Sequence, residues 1–111
     1  FGISDGEYLP IVKVQPQYPR RALSRGLAGY VIVEFTVTAQ GTVKDPFVVE
    51  NCGHIPNARS PADCVDKPNS VFDSSAMKAA LKFKYKPKVI DGNPVETTGV
   101  QNKITFELAE S

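Results

Sequence analysis

No stretch of the chain approaches the roughly 18 consecutive apolar residues that a membrane-spanning helix needs. The 111 residues therefore read as carrying no helical span of their own. Charge of one sign is equally lacking: thirteen basic residues face twelve acidic ones, for a net charge of +1. That balance gives no bulk argument for nucleic acid or an anionic membrane as a partner. Histidine occurs once, as His54, in a segment without a nearby nucleophile. No Ser-His-Asp set, phosphate-binding loop or paired acidic site can be assembled. The chain reads as a non-enzyme that needs neither cofactor nor metal. A signal-peptide pattern is also lacking, and the chain begins abruptly at Phe1, which is expected of a mature form or an excised domain.

Cysteine is scarce. Cys52 and Cys64 flank "NCGHIPNARSPADC", a stretch rich in Asn, Pro, Ser and Gly. The expected state is a disulfide closing this loop, worth about 3 kcal/mol in the entropic picture. Two free thiols, or a metal site with His54 and Asp63, are the alternatives. A zinc site usually wants a second close pair of ligands, which the sequence does not supply. A disulfide implies an oxidising compartment.

What is present fits one soluble domain, with 41% hydrophobic and 23% charged residues. Residues 1–14 read as a lead-in with one extended piece, "YLPIVKV". "QPQYPRRALSRG" then starts at Gln15. Pro19 suits the first position of a helix over 19–25, Gly26 the left-handed position after it, and Leu27 the apolar partner that follows. Two turns cannot stand alone, so something larger must hold Ala22 and Leu23. "YVIVEFTV" supplies it: Val31, Val33, Phe35 and Val37 alternate with Tyr30, Ile32, Glu34 and Thr36. "TAQGTV" is a turn into a second strand, "VKDPFVVE". Pro46 inside it predicts a sheet edge or a bulge. A loop follows over 51–69. Phe72, Ala76, Ala79, Ala80 and Phe83 then make an apolar helical stripe, with Asp73 or Ser70 as its cap and Pro87 as its stop. "VIDGNPV" is a tight turn around Asp91-Gly92. "GVQNKITFEL" is a third strand, with Ile104, Phe106 and Leu108 on one face.

The predicted order is helix, strand, strand, helix, strand: an α+β domain of two layers, with a three-stranded antiparallel sheet and both helices on one face. If the second strand is one edge, the first is central and the third is the other edge. Nothing but Lys103 and Glu107 guards that edge, and an extended peptide can add itself to such a strand.

Taken together, "QPQYPRRALSRGLAGYVIVEFTVTAQGTV", "FDSSAMKAALKFKYKPKVIDGNPVE" and "GVQNKITFEL" resemble the C-terminal domain of the TonB family, across about 9–108. The Tyr-Pro before the helix, the Gly-x-x-Gly after it, "KYKP" and "DGNPV" carry the resemblance jointly. Two departures are the long loop over 51–69 and Phe83, where the family often has tryptophan. The resemblance implies the periplasmic part of an energy transducer anchored in the inner membrane. Its anchor and proline-rich spacer would lie outside these residues, as would contact with a proton-channel complex of the ExbB/ExbD kind. It further implies a grip on the TonB box, a short N-terminal segment of an outer-membrane transporter, added as a strand. The residues it points to are Gln101, Asn102, Lys103, Ile104, Thr105, Phe106 and Glu107 on the last strand, with Gln15, Pro16, Gln17 and Tyr18 beside them. A homodimer through the same edge is a further expectation. A TolA-like or signalling interaction module is the alternative reading. Arg20, Arg21 and Arg25 read as a solvated helix face, and the lysines of 78–88 as the wet side of the second helix and its tail.

Overall fold

The alternation of 30–37 leaves one physical option: a strand with one face in the core. In the computed structural model, which describes residues 8–56 and 69–108, that strand is β1, Ala28–Val37. It lies at the centre of a three-stranded antiparallel sheet, between β2 (Val43–His54) and β5 (Thr97–Phe106). Val31, Val33, Phe35 and Val37 are all buried on one side, joined there by Val100, Ile104 and Phe106 of β5. The helices α1 (Arg20–Arg25) and α2 (Asp73–Ala80) complete the core. They meet it through Ala22, Ala76, Ala79 and Ala80, whose small side chains let helix and sheet approach closely.

The short α1 stops where the sequence says it should. Gly26 takes φ 68°, and the amide of Leu27 returns 2.8 Å to the carbonyl of Ala22. Its start differs by one residue, since Pro19 is extended (ψ 137°) and precedes the first turn. The second helix differs more. It opens with a 3-10 turn, Ser70–Phe72, capped by neither Asp73 nor Ser70 but by Asn69, whose side chain accepts from the Val71 amide at 2.9 Å. The Asp73 carboxylate instead takes the Asn51 amide at 3.1 and 3.2 Å. Phe83 is fully buried, but beyond the helix end.

Two regions are more ordered than expected. The tight turn at Asp91 and Gly92, both at positive φ (51° and 81°), is flanked by paired strands, β3 (Lys88–Ile90) and β4 (Asn93–Val95). Paired positive φ values match the twist of a hairpin. And β2 continues through Asn51, Cys52 and Gly53 to His54, so the loop expected over 51–69 starts four residues later. Cys64, Asp63 and with them the Cys52–Cys64 pairing lie outside the described residues.

The two edges of the sheet differ. Pro46 does sit on an edge strand, and it also accompanies a bulge. Register slips by one residue between Glu34 and Thr36, where the neighbouring Asp45 has φ 54°, and again between Ile32 and Val33. On β5 the one slip falls near its start, at Gly99 with φ 69°, between the partners of Phe35 and Val37. From Val100 to Phe106 the strand runs in unbroken register against β1. Compared with the expected third strand, it begins and ends two residues earlier, so Glu107 follows the strand.

Candidate functional site

The residues ahead of α1 form a strap along the free side of β5. The strap starts at Tyr8, whose ring meets Tyr85 edge-on at 5.0 Å and whose hydroxyl donates to the Lys86 carbonyl. Ile11 and Val12 donate to the Lys84 carbonyl at 2.7 and 3.1 Å, and Val12 accepts from the Lys84 amide at 3.0 Å. This is a single isolated bridge. Next, the Lys13 ammonium lies 3.4 Å from the Lys103 carbonyl and 6.0 Å from the centre of the Phe83 ring. Finally Tyr18 anchors the strap in the core. Its ring stands edge-on to Phe72 and Phe106, and its hydroxyl donates to the carbonyl of Leu27. Burial pushes the Tyr18 hydroxyl above the usual tyrosine pKa, as it does that of Tyr8.

Strap and edge enclose a cleft of about 200 Å³. Lys13, Val14, Gln15 and Pro16 form one wall, and Lys103, Ile104 and Thr105 the other. Gln15 and Pro16 also border a second groove, of about 410 Å³, between the strap and α2. That groove carries Arg20, Arg21, Lys78 and Lys82, and among the described residues no carboxylate lines it. It is a basic trough open to solvent, continuous with the cleft through the shared residues 14–16.

The expected contact residues thus divide. Gln15 and Pro16 are brought beside Lys103, Ile104 and Thr105. Gln17 is not: it lines only the trough, and its carbonyl accepts from the Ser75 hydroxyl. Tyr18 faces inward. On β5, Ile104 and Phe106 turn their side chains into the core. Gln101 donates to the Glu34 carboxylate at 2.9 Å across the wet face, where the Lys103 ammonium sits 4.4 Å from the Tyr30 ring centre. Lys13 and Val14 were missed from the sequence. Their place beside β5 follows from the bridge at Lys84, a contact with no local signal.

Cys52 is fully buried on β2, opposite Tyr30, with its sulfur 3.8 Å from Nδ1 of His54. Among the described residues, no helix is long and apolar enough to cross a membrane.

Comparison with known proteins places this geometry. A family model for the Gram-negative bacterial TonB protein C-terminal matches residues 14–55, the stretch from strap to β2. Protein TonB of Pseudomonas aeruginosa is 30% identical over 93 residues, covering 84% of this chain and 23% of that protein. Protein TonB of Vibrio cholerae serotype O1 is 31% identical over 91 residues, covering 82% of this chain and 31% of that protein. The chain therefore spans about a quarter to a third of the length of these curated relatives. The solution NMR structure of the P. aeruginosa TonB C-terminal domain superposes with a TM-score of 0.65 at 28% identity, covering 98% of this chain and 96% of that one. The TonB2 protein from Vibrio anguillarum gives 0.58 at 33% identity, covering 91% and 81%. Agreement in sequence, and in fold from the strap to the end of β5, shows that the chain belongs to the TonB family, as its C-terminal domain.

Proposed function

We propose that this domain works in the periplasm, where it takes an N-terminal segment of an outer-membrane transporter, the TonB box, as an added strand beside β5. It thereby passes on proton-motive force gathered by an inner-membrane complex of the ExbB/ExbD kind. The observation that carries the reading is the difference between the two sheet edges. β2 is interrupted by two bulges and a proline, whereas β5 runs in regular register from Val100 to Phe106 with a cleft along its free side. A bulged edge offers a poor template; a regular one offers evenly alternating donors and acceptors.

Alternate residues of an antiparallel edge strand turn their N–H and C=O outward. The Lys103 carbonyl, reached by Lys13 from the strap side, assigns Gln101, Lys103 and Thr105 to the outward set. Each main-chain bond nets about 0.5–1.5 kcal/mol. A few of them, less the cost of ordering the peptide, amount to about micromolar affinity. Such a grip can load and release. It also tolerates varied side chains, so one transducer can serve several transporters.

The test is a proline scan. Titration with a TonB-box peptide should shift the amide resonances of 101–105. Lys103→Pro removes an outward N–H and should abolish those shifts with the fold retained, because proline is tolerated at an edge. Gln15→Ala should weaken binding by a smaller factor. Unchanged peptide binding by a folded Lys103→Pro protein would rule out strand addition at β5.

A further inference from the structure

Asn102 is the most deeply buried polar side chain on β5, and its surroundings do not suit it. It is 1% exposed, yet neither its amide nitrogen nor its amide oxygen has a hydrogen-bond partner among the described residues. Burying an unpaired amide is costly, and a polar group left so needs an explanation. On the core-facing side of the sheet it stands between Val100 and Ile104, and across from Val33 of β1. None of these side chains can bond to it. Its other flank is the free edge, and the cleft against the strap begins at the next two residues, Lys103 and Ile104.

A strand added there would bring one side chain level with Asn102 on the core-facing side, with Cβ atoms roughly 4.5–5.5 Å apart. We propose that the Asn102 carboxamide reads this position of the added strand, and selects a side chain that both donates and accepts, a hydroxyl or a carboxamide. The amide offers two donors and an acceptor, which threonine or asparagine can answer. Valine has the shape of threonine but offers neither function, so it would leave the amide unpaired. Discrimination of that kind comes chiefly from the group left unsatisfied. The inference rests on strand addition at β5 and extends it. Main-chain pairing alone reads no side chain, and Asn102 would supply one legible position within an otherwise permissive grip.

Decapeptides of alternating valine and glutamate provide a defined probe, each valine in turn replaced by threonine or asparagine. They are titrated into the labelled domain, with shifts at 101–105 reporting where they bind. The expected result is one position at which threonine or asparagine binds about tenfold tighter than valine. Asn102→Leu should raise the Tm and erase or reverse that preference, with the shifts still centred on β5. Should leucine not fold, Asn102→Thr serves: it keeps a hydroxyl, and should retain the hydroxyl-bearing guest while losing the asparagine guest. Edge shifts with equal affinity for all guests would overturn the selector and leave strand addition standing. So would a lower Tm for Asn102→Leu together with an unchanged preference. If no peptide perturbs 101–105, strand addition falls, and the selector with it.

Discussion

Three rings fix the point where the strap, the second helix and the sheet come together. Phe72 and Phe106 stack with centroids 4.3 Å apart and planes 19° from parallel. Tyr18 stands edge-on to both, at 5.6 and 5.7 Å. Offset stacks and edge contacts are the arrangements that the ring quadrupoles favour. Phe106→Ala would empty the middle of this set and should cost about 3–5 kcal/mol in chemical denaturation. A loss below roughly 1 kcal/mol would show that the ring is no anchor. Phe106 was legible in the sequence because alternation assigns faces: once Ile104 points inward, so does Phe106. Tyr18 was not. Its ring partners are remote in sequence, and its hydroxyl bonds to Leu27, nine residues on. No local pattern reports such contacts, so a tyrosine expected to meet a partner turns out to hold the strap.

At the level of elements, the strands were more legible than their limits. The period of two marked β1 and β5 because each has one wet and one dry face. β2 runs further than the sequence suggests, because Asn51 and Cys52 resemble loop residues yet pair with Val31 and Tyr30. The pairing is long-range, and propensity is a weak guide against it. The cap of the second helix differs from the expected one for a similar reason: Asp73 is drawn off by Asn51, and Asn69 is left to receive the Val71 amide. The same strand bears on the cysteine pair, since Cys52 lies within β2 and not at its margin. We propose that Cys52 and Cys64 are bonded. Alkylation of unreduced protein should add no label by mass, and two labels would disprove the bond.

For the molecule as a whole, the described sheet has one bulged edge and one that runs in regular register from Val100 to Phe106. The prediction of edge strands from Pro46 needed only proline's missing N–H, and the order β2-β1-β5 agrees with it. What the sequence withheld is the strap, and with it the division of Gln15 and Pro16 from Gln17. A second copy could use the same edge, so dimer and peptide complex should exclude one another. Sedimentation of concentrated protein should show any dimer fall away as TonB-box peptide is added. A dimer that persists at saturating peptide would place its contact elsewhere.

The course of the strap beside β5 has a mechanical consequence. A segment paired along β5 and pulled along the strand axis loads its bonds together, in shear, so the joint resists sudden force better than its affinity suggests. Tension applied from the N-terminal side would first meet the contacts of Tyr8 with Tyr85 and Lys86, and then the bridge between Val12 and Lys84, whose few bonds are loaded one after another. Peeling is weak where shear is strong. The strap should therefore yield first and pay out slack as far as Tyr18, while a segment paired on β5 would hold: a yielding link in series with a firm one.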